Sequence, residues 1–199
     1  KDNGVAVLAI NNSHHMAAMW PETEKKLQVL MSNMTQKAYD YDRSVVFGLR
    51  VHVIVRETEK EARAYAESLL SKLDLKFGTS IRNRAQDASS LGVFRQAKLR
   101  EEADDKHYVE PNLWTGIGLA RSGCGAAIVG DPDQVVSKIE RYMEMGIRSF
   151  IFSGYPHEQE CALFAKYVLP RIRSVSLPKF FGRVPINTPS TPLGTAKRS

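Results

Sequence analysis

Val45-Val-Phe-Gly-Leu-Arg-Val-His-Val-Ile-Val55 is an apolar run interrupted by one guanidinium and one imidazole, two residues apart. A β-strand sends alternate side chains to opposite faces. The odd face is then Val45, Phe47, Leu49, Val51, Val53 and Val55, which carries no polar side-chain atom and is fit to bury. The even face is Val46, Gly48, Arg50, His52 and Ile54. An arginine on a buried strand is costly unless it is paired or meets an anion. That face is therefore the first place to look for a site.

Outward from this strand, helices and strands alternate. Upstream, Gly4–Ile10 reads as a short buried strand and Asn11–Ala18 as a polar, histidine-bearing loop. A helix is expected from Pro21, a residue suited to a first helical turn, with Leu27, Leu30, Met31, Met34 and Ala38 on one face. Downstream, Thr58-Glu-Lys-Glu61 is a capping box, and the helix after it buries Ala62, Tyr65, Ala66, Leu69, Leu70 and Leu73. Residues 75–125 are polar and charged. They read as an insertion with one or two short helices around Ile81–Asp105 and a loop through Pro111, a length common for lids and binding segments. Ala126–Val129 is a strand, followed by Asp131 as helix cap, Pro132 in the first turn and a buried face of Val135, Val136, Ile139, Tyr142 and Met143. Gly146 ends that helix. Arg148–Ser153 is the next strand, and Gly154-Tyr-Pro-His157 turns into a last helix carrying Ala162, Ala165, Val168 and Leu169. Residues 179–199 form a Pro-rich tail.

Such alternation predicts a parallel sheet with crossover helices. Four strands are expected. A full eight-stranded barrel takes about 250 residues, so 199 residues suit a small open sheet or half a barrel.

The net charge of +6 and the pI of about 9.3 do not imply nucleic acid, because no basic helix, zinc pattern or aromatic RNA-binding motif accompanies them. The cations are scattered, at Arg82, Arg84, Arg95, Lys98, Arg100, Lys179, Arg183, Lys197 and Arg198. A small anionic substrate accounts for the bias, and so does a merely basic surface. No membrane partner is expected, since no apolar stretch approaches the about 18 residues a spanning helix needs. No secretory signal is visible, and a first residue of Lys1 places the expected start upstream. Cys124 and Cys161 are too few and too far apart for a disulfide framework or a metal ladder, which fits a cytoplasmic protein without a metal site.

In parallel α/β folds chemistry sits at the carboxyl ends of strands. Arg50 with His52, Tyr155 just past Ser153, and Arg121 in Ala120-Arg-Ser-Gly-Cys-Gly125 are the candidates. A guanidinium grips a sulfonate, phosphate or carboxylate through paired hydrogen bonds. A histidine serves as base or donor, and a phenol orients or donates a proton. Each has a plain reading as well: an internal Arg–His polar network, an exposed turn at Arg121, a packing role for Tyr155. Gly116-x-Gly118-x-x-Arg121 lacks the third glycine of a dinucleotide site, and His14-His15 reads as a loop pair without partners at ligand spacing. Trp114 reads as an anchor for the insertion.

Phe47-Gly-Leu-Arg-Val-His-Val-Ile-Val-Arg-Glu-Thr58, Pro111-Asn-Leu-Trp-Thr-Gly-Ile-Gly-Leu-Ala-Arg121, Ser122-Gly-Cys-Gly-Ala-Ala-Ile-Val-Gly-Asp131 and Phe152-Ser-Gly-Tyr-Pro-His157 together resemble the alkanesulfonate monooxygenases of the bacterial luciferase-like flavin family. The likeness runs from about Leu27 to Arg173 and covers the C-terminal half of such enzymes. It implies an α/β fold, a partial (β/α)₈ TIM barrel over residues 1–178 with the long insertion before the penultimate strand. It also implies reduced FMN and dioxygen as co-reactants, cleavage of an alkanesulfonate to aldehyde and sulfite, and a separate NAD(P)H-dependent flavin reductase. By matching motif positions, Arg50 and Arg121 are the residues that hold the sulfonate and the anionic oxygen adduct of the flavin. His52 hydrogen-bonds the flavin or handles a proton, and Tyr155 orients the oxygen or donates a proton.

Two rival readings are another luciferase-like monooxygenase acting on a different small substrate, and an inactive fragment that binds anions or partners. A half-barrel leaves two strand edges open and is expected to associate, as a homo-oligomer among other forms. The first strands of the family, with much of its FMN phosphate site, have no counterpart here. The isolated chain is therefore expected to bind FMN weakly or not at all, and tight stoichiometric binding in a titration contradicts that.

Overall fold

The computed structural model describes residues 6–9, 14–74, 91–120 and 125–174. The odd–even division of the central strand organises it. That strand, β3 (Ser44–Val55), follows β1 (Ala6–Ala9), β2 (His14–Met19) and helix α1 (Glu24–Tyr39). After it come α2 (Glu59–Ser68), α3 (Leu91–Glu101), β4 (Tyr108–Glu110), β5 (Leu113–Trp114) and α4 (Ile117–Ala120). The order then runs β6 (Ala127–Gly130), α5 (Pro132–Glu144), β7 (Ile147–Ser153), α6 (His157–Tyr167) and a 3₁₀ turn at Leu169–Arg171.

These strands form one seven-stranded mixed sheet in the order β1-β2-β3-β6-β5-β4, with β7 also paired to β3. β2, β6 and β7 all run parallel to β3. In the β3–β7 register Arg50 lies opposite Ile151 and His52 opposite Ser153, while His52 also lies opposite Ala127 of β6. The odd face of β3 lies in a single core. Phe47, Leu49, Val51, Val53 and Val55 pack with Leu27 and Met31 of α1 and with Val135, Val136, Ile139 and Tyr142 of α5. Each such side chain taken from water stabilises the fold by roughly 1.5–3 kcal/mol. The even face meets a different neighbour. Ile54 packs with Ala62 and Ala66 of α2, Trp114, Ile117, Ala127 and Val129, so α2 and the insertion cover its carboxyl end. Among the described residues, no helix is long and apolar enough to cross a membrane.

Local signals hold where chemistry is local. Thr58 and Glu61 make both bonds of the capping box, and Asp131 with Gln134 makes a second one ahead of Pro132. Gly146 sits at φ 105° at the end of α5, a conformation that favours glycine. Several expectations need correction, beginning with the strand count, which among the described residues is seven rather than four. The segment read as a loop at Asn11–Ala18 carries strand β2, whose first residues His14 and His15 pair in parallel with Ser44 and Val45. The sheet is not wholly parallel: β1 runs antiparallel to β2, because the four positions 10–13 between them cannot make a parallel crossover. The helix expected from Pro21 starts at Glu24. The insertion holds α3 and also a β4–β5 hairpin that turns at Pro111 and Asn112, the latter at φ 63°, and joins β6 antiparallel. The expected tail, residues 179–199, lies outside the described residues.

A buried ion cluster ties the insertion to the helix layer. Thr23 makes no side-chain cap to α1. Glu110 of β4 does so from 86 residues away, accepting the Glu24 backbone N–H at 3.1 Å. The buried Lys138 ammonium of α5 donates to Glu110 Oε1 and to Glu24 Oε1, each at 2.7 Å, and Arg141 also binds Glu24. Burial pushes the Glu24 carboxyl upward, but the hydrogen bonds and charges of Lys138 and Arg141 outweigh it and hold the group below the usual carboxylate value. A depressed carboxyl contributes stability that is present above its unfolded pKa and lost as pH falls through the folded one. Lys138→Met takes the shared ammonium from two partly buried carboxylates, leaving Glu24 only Arg141, and is expected to cost about 3 kcal/mol in urea unfolding at pH 7, a penalty that shrinks as the pH is lowered below the ordinary carboxylate range. An unchanged midpoint at pH 7 contradicts the assignment.

Candidate active site

The even face of β3 brings two of the four expected residues together and adds one that sequence reasoning missed. His52 is buried, 2% exposed, with its backbone N–H donated to Ala126 O at 3.2 Å. Its ring Nδ1 lies 2.9 Å from Ser153 Oγ. That contact follows from the register, which sets the last residue of β7 directly across from His52. With Ser153 at Nδ1, Nε2 is the ring nitrogen that this contact does not engage.

Arg50 lies two residues back on the same face and is half-buried. Its Nε is buried without a hydrogen-bond partner among the described residues. A buried N–H left unmade costs about 1–3 kcal/mol. Its neighbour across β7 is Ile151, 55% exposed, so this part of the face is apolar and open. An N–H of this kind suits the oxygen of an anion or another electron-rich oxygen as acceptor. This is the donor set expected of a group holding a sulfonate or a flavin oxygen, and the residues fit both.

Tyr155 follows Ser153 by two residues and is 56% exposed. Its ring stands edge-on to that of His157, with centroids 5.9 Å apart. The phenol thus lies at the carboxyl end of β7 but is not packed into the core. Arg121 lies outside the described residues, as does Cys124. Trp114 anchors the insertion as expected, 1% exposed against Ile54 and Ala127. Among the described residues, no group of three or more His, Cys, Asp or Glu side chains is arranged to hold a metal.

The sequence profile of the luciferase-like monooxygenases matches residues 6–149. The chain belongs to that family. It is 57% identical over 180 residues to a sulfoquinovose monooxygenase of Agrobacterium fabrum, a match covering 90% of this chain and 47% of the relative. A second sulfoquinovose monooxygenase, from Novosphingobium aromaticivorans, is 58% identical over 154 residues, covering 77% of this chain and 42% of the relative. The chain therefore spans about half the length of the curated relatives it matches. Among solved structures, DmoA of Hyphomicrobium sulfonivorans superposes with a TM-score of 0.57 at 16% identity, over 86% of this chain and 38% of that one. At that identity the likeness concerns the fold, and it agrees with the expected partial barrel.

Ser153 gives this site its most direct structural test. Ser153→Ala is expected to change the Nδ1 and Nε2 nitrogen shifts of His52 in a ¹⁵N spectrum, with Ser153→Thr keeping the wild-type pattern. Identical spectra for all three proteins contradict the Ser153–His52 contact.

Proposed function

We propose that this chain forms the C-terminal half of a flavin-dependent monooxygenase that cleaves the carbon–sulfur bond of a small organosulfonate. The observation that carries the reading is the buried, partnerless Arg50 Nε–H beside the buried His52. A guanidinium whose Nε–H has no acceptor among the described residues, inside a family of monooxygenases, suits an anionic substrate head group. Sulfoquinovose, named for two relatives near 57% identity, is the first substrate to test. Short alkanesulfonates share its sulfonated primary carbon and come second.

Reduced FMN, delivered by a separate NAD(P)H-dependent flavin reductase, would supply the electrons that split dioxygen between substrate and water. The chain's own residues carry the rest. Arg50 binds the sulfonate or the flavin edge, and Arg121 adds a second cation from the insertion. His52, oriented by Ser153, donates or accepts a proton at Nε2. Tyr155 orients the reacting oxygen or gives up a proton from its hydroxyl. Trp114 and α2 close the carboxyl end of the face against water. The products are an aldehyde and sulfite.

The native protein, meaning the complete enzyme of which this chain is proposed to be the C-terminal half, is expected to release sulfite from sulfoquinovose when supplied with FMN, a flavin reductase, NADH and dioxygen. Arg50→Met separates site from scaffold. It removes a buried donor that lacks a partner, so stability is expected to hold or rise by about 1 kcal/mol, while sulfite release falls at least about a hundredfold. Turnover that survives Arg50→Met contradicts the assignment, and so does the absence of sulfite from every sulfonate tried with the native protein.

A further inference from the structure

The loop that carries Tyr155 has three successive carbonyls taken. Gly154 O accepts from His157 Nδ1 at 2.6 Å. Pro156 O accepts from the Glu160 N–H at 3.1 Å. Both bonds belong to the start of α6 and would form at many helix starts. The third does not. Tyr155 O accepts from the hydroxyl of Tyr65, on α2, at 3.1 Å and across 90 residues of sequence.

Tyr65 is itself held from below. The Arg56 guanidinium lies 3.7 Å from the centroid of its ring. Arg56 also grips Glu160 through both terminal nitrogens, at 3.1 and 2.6 Å, and donates to Val55 O at 2.7 Å. Glu160 is only 4% exposed, and a two-point charge pair at such a position has one well-defined geometry. The loop rests on this pair: a Cβ at Gly154 would come within 2.2 Å of Glu160 Cβ. Burial, reinforced by the Glu160 charge and opposed by Arg56, pushes the Tyr65 hydroxyl above its ordinary pKa, so it remains a donor at neutral pH.

Packing cannot place the Tyr155 phenol, because that residue is more than half exposed. Its backbone must place it. We propose that Tyr65 is a positioning residue, whose hydroxyl, seated on the Arg56–Glu160 pair, fixes the backbone from which Tyr155 presents its phenol at the end of β7. The proposal rests on the reading of Tyr155 as a site residue.

Two measurements test it. The first needs no flavin. Tyr65→Phe keeps the ring on Arg56 and removes only the hydroxyl, and amide hydrogen exchange at Tyr155 and His157 is expected to rise about tenfold with β3 unchanged. The second uses the native flavin-loaded protein. Tyr65→Phe is expected to lower kcat for sulfite release about tenfold with KM within about twofold, and this effect is expected to vanish in a Tyr155→Phe background. Unchanged exchange at Tyr155 and His157, or an undiminished Tyr65→Phe effect in the Tyr155→Phe background, overturns the positioning role while leaving the site intact. Wild-type turnover in Tyr155→Phe removes Tyr155 from the site, and the positioning role with it.

Discussion

The alternation of side chains along β3 is the constraint on which the rest depends. A strand paired on both edges has no freedom to slip by one residue, because a slip would turn Phe47, Leu49, Val51, Val53 and Val55 out of the helix layer and drive Arg50 and His52 into it. Parallel neighbours β2, β6 and β7 lock that register along its length. The apolar half of the strand therefore supplies the binding energy of the fold, and that energy holds a guanidinium on a face where it would not otherwise stay.

The polar side chains then divide into two kinds. Lys138 with Glu24 and Glu110, and Arg56 with Glu160, are matched in charge and joined by short hydrogen bonds. They tie the insertion, α1 and α5 into one layer and seat α6 at the end of β3. Arg50 differs from both, since its buried Nε has no acceptor among the described residues. Among the described residues, Lys138 and Arg56 meet carboxylates and the Arg50 Nε–H does not, which is the contrast on which the proposed anion site rests.

Much of this was legible in the sequence. The faces of β3 follow from period-two patterning, and the starts of α2 and α5 follow from Thr58, Asp131 and Pro132, whose bonds reach only three residues along the chain. Strand β2 was hidden because His-His-Met-Ala-Ala-Met carries no strand preference of its own and becomes a strand by pairing with β3. Glu110 capping α1, Ser153 meeting His52, and Tyr65 reaching Tyr155 were hidden for the same reason. Each joins residues that are 86 to 101 positions apart, and only the folded register makes them neighbours. Arg50 and His52 could be proposed because a charged and a titratable side chain stand out in an apolar run, and Tyr155 because it lies just past the strand end at Ser153.

The central claim is that the Arg50 Nε–H awaits an anion. Its proton and ¹⁵Nε resonance can be followed in the native protein while sulfoquinovose or a short alkanesulfonate is added. A saturable shift of that resonance with slowed solvent exchange is the predicted result. An Arg50 Nε–H whose shift and exchange stay constant through saturation of the protein with substrate would contradict the account.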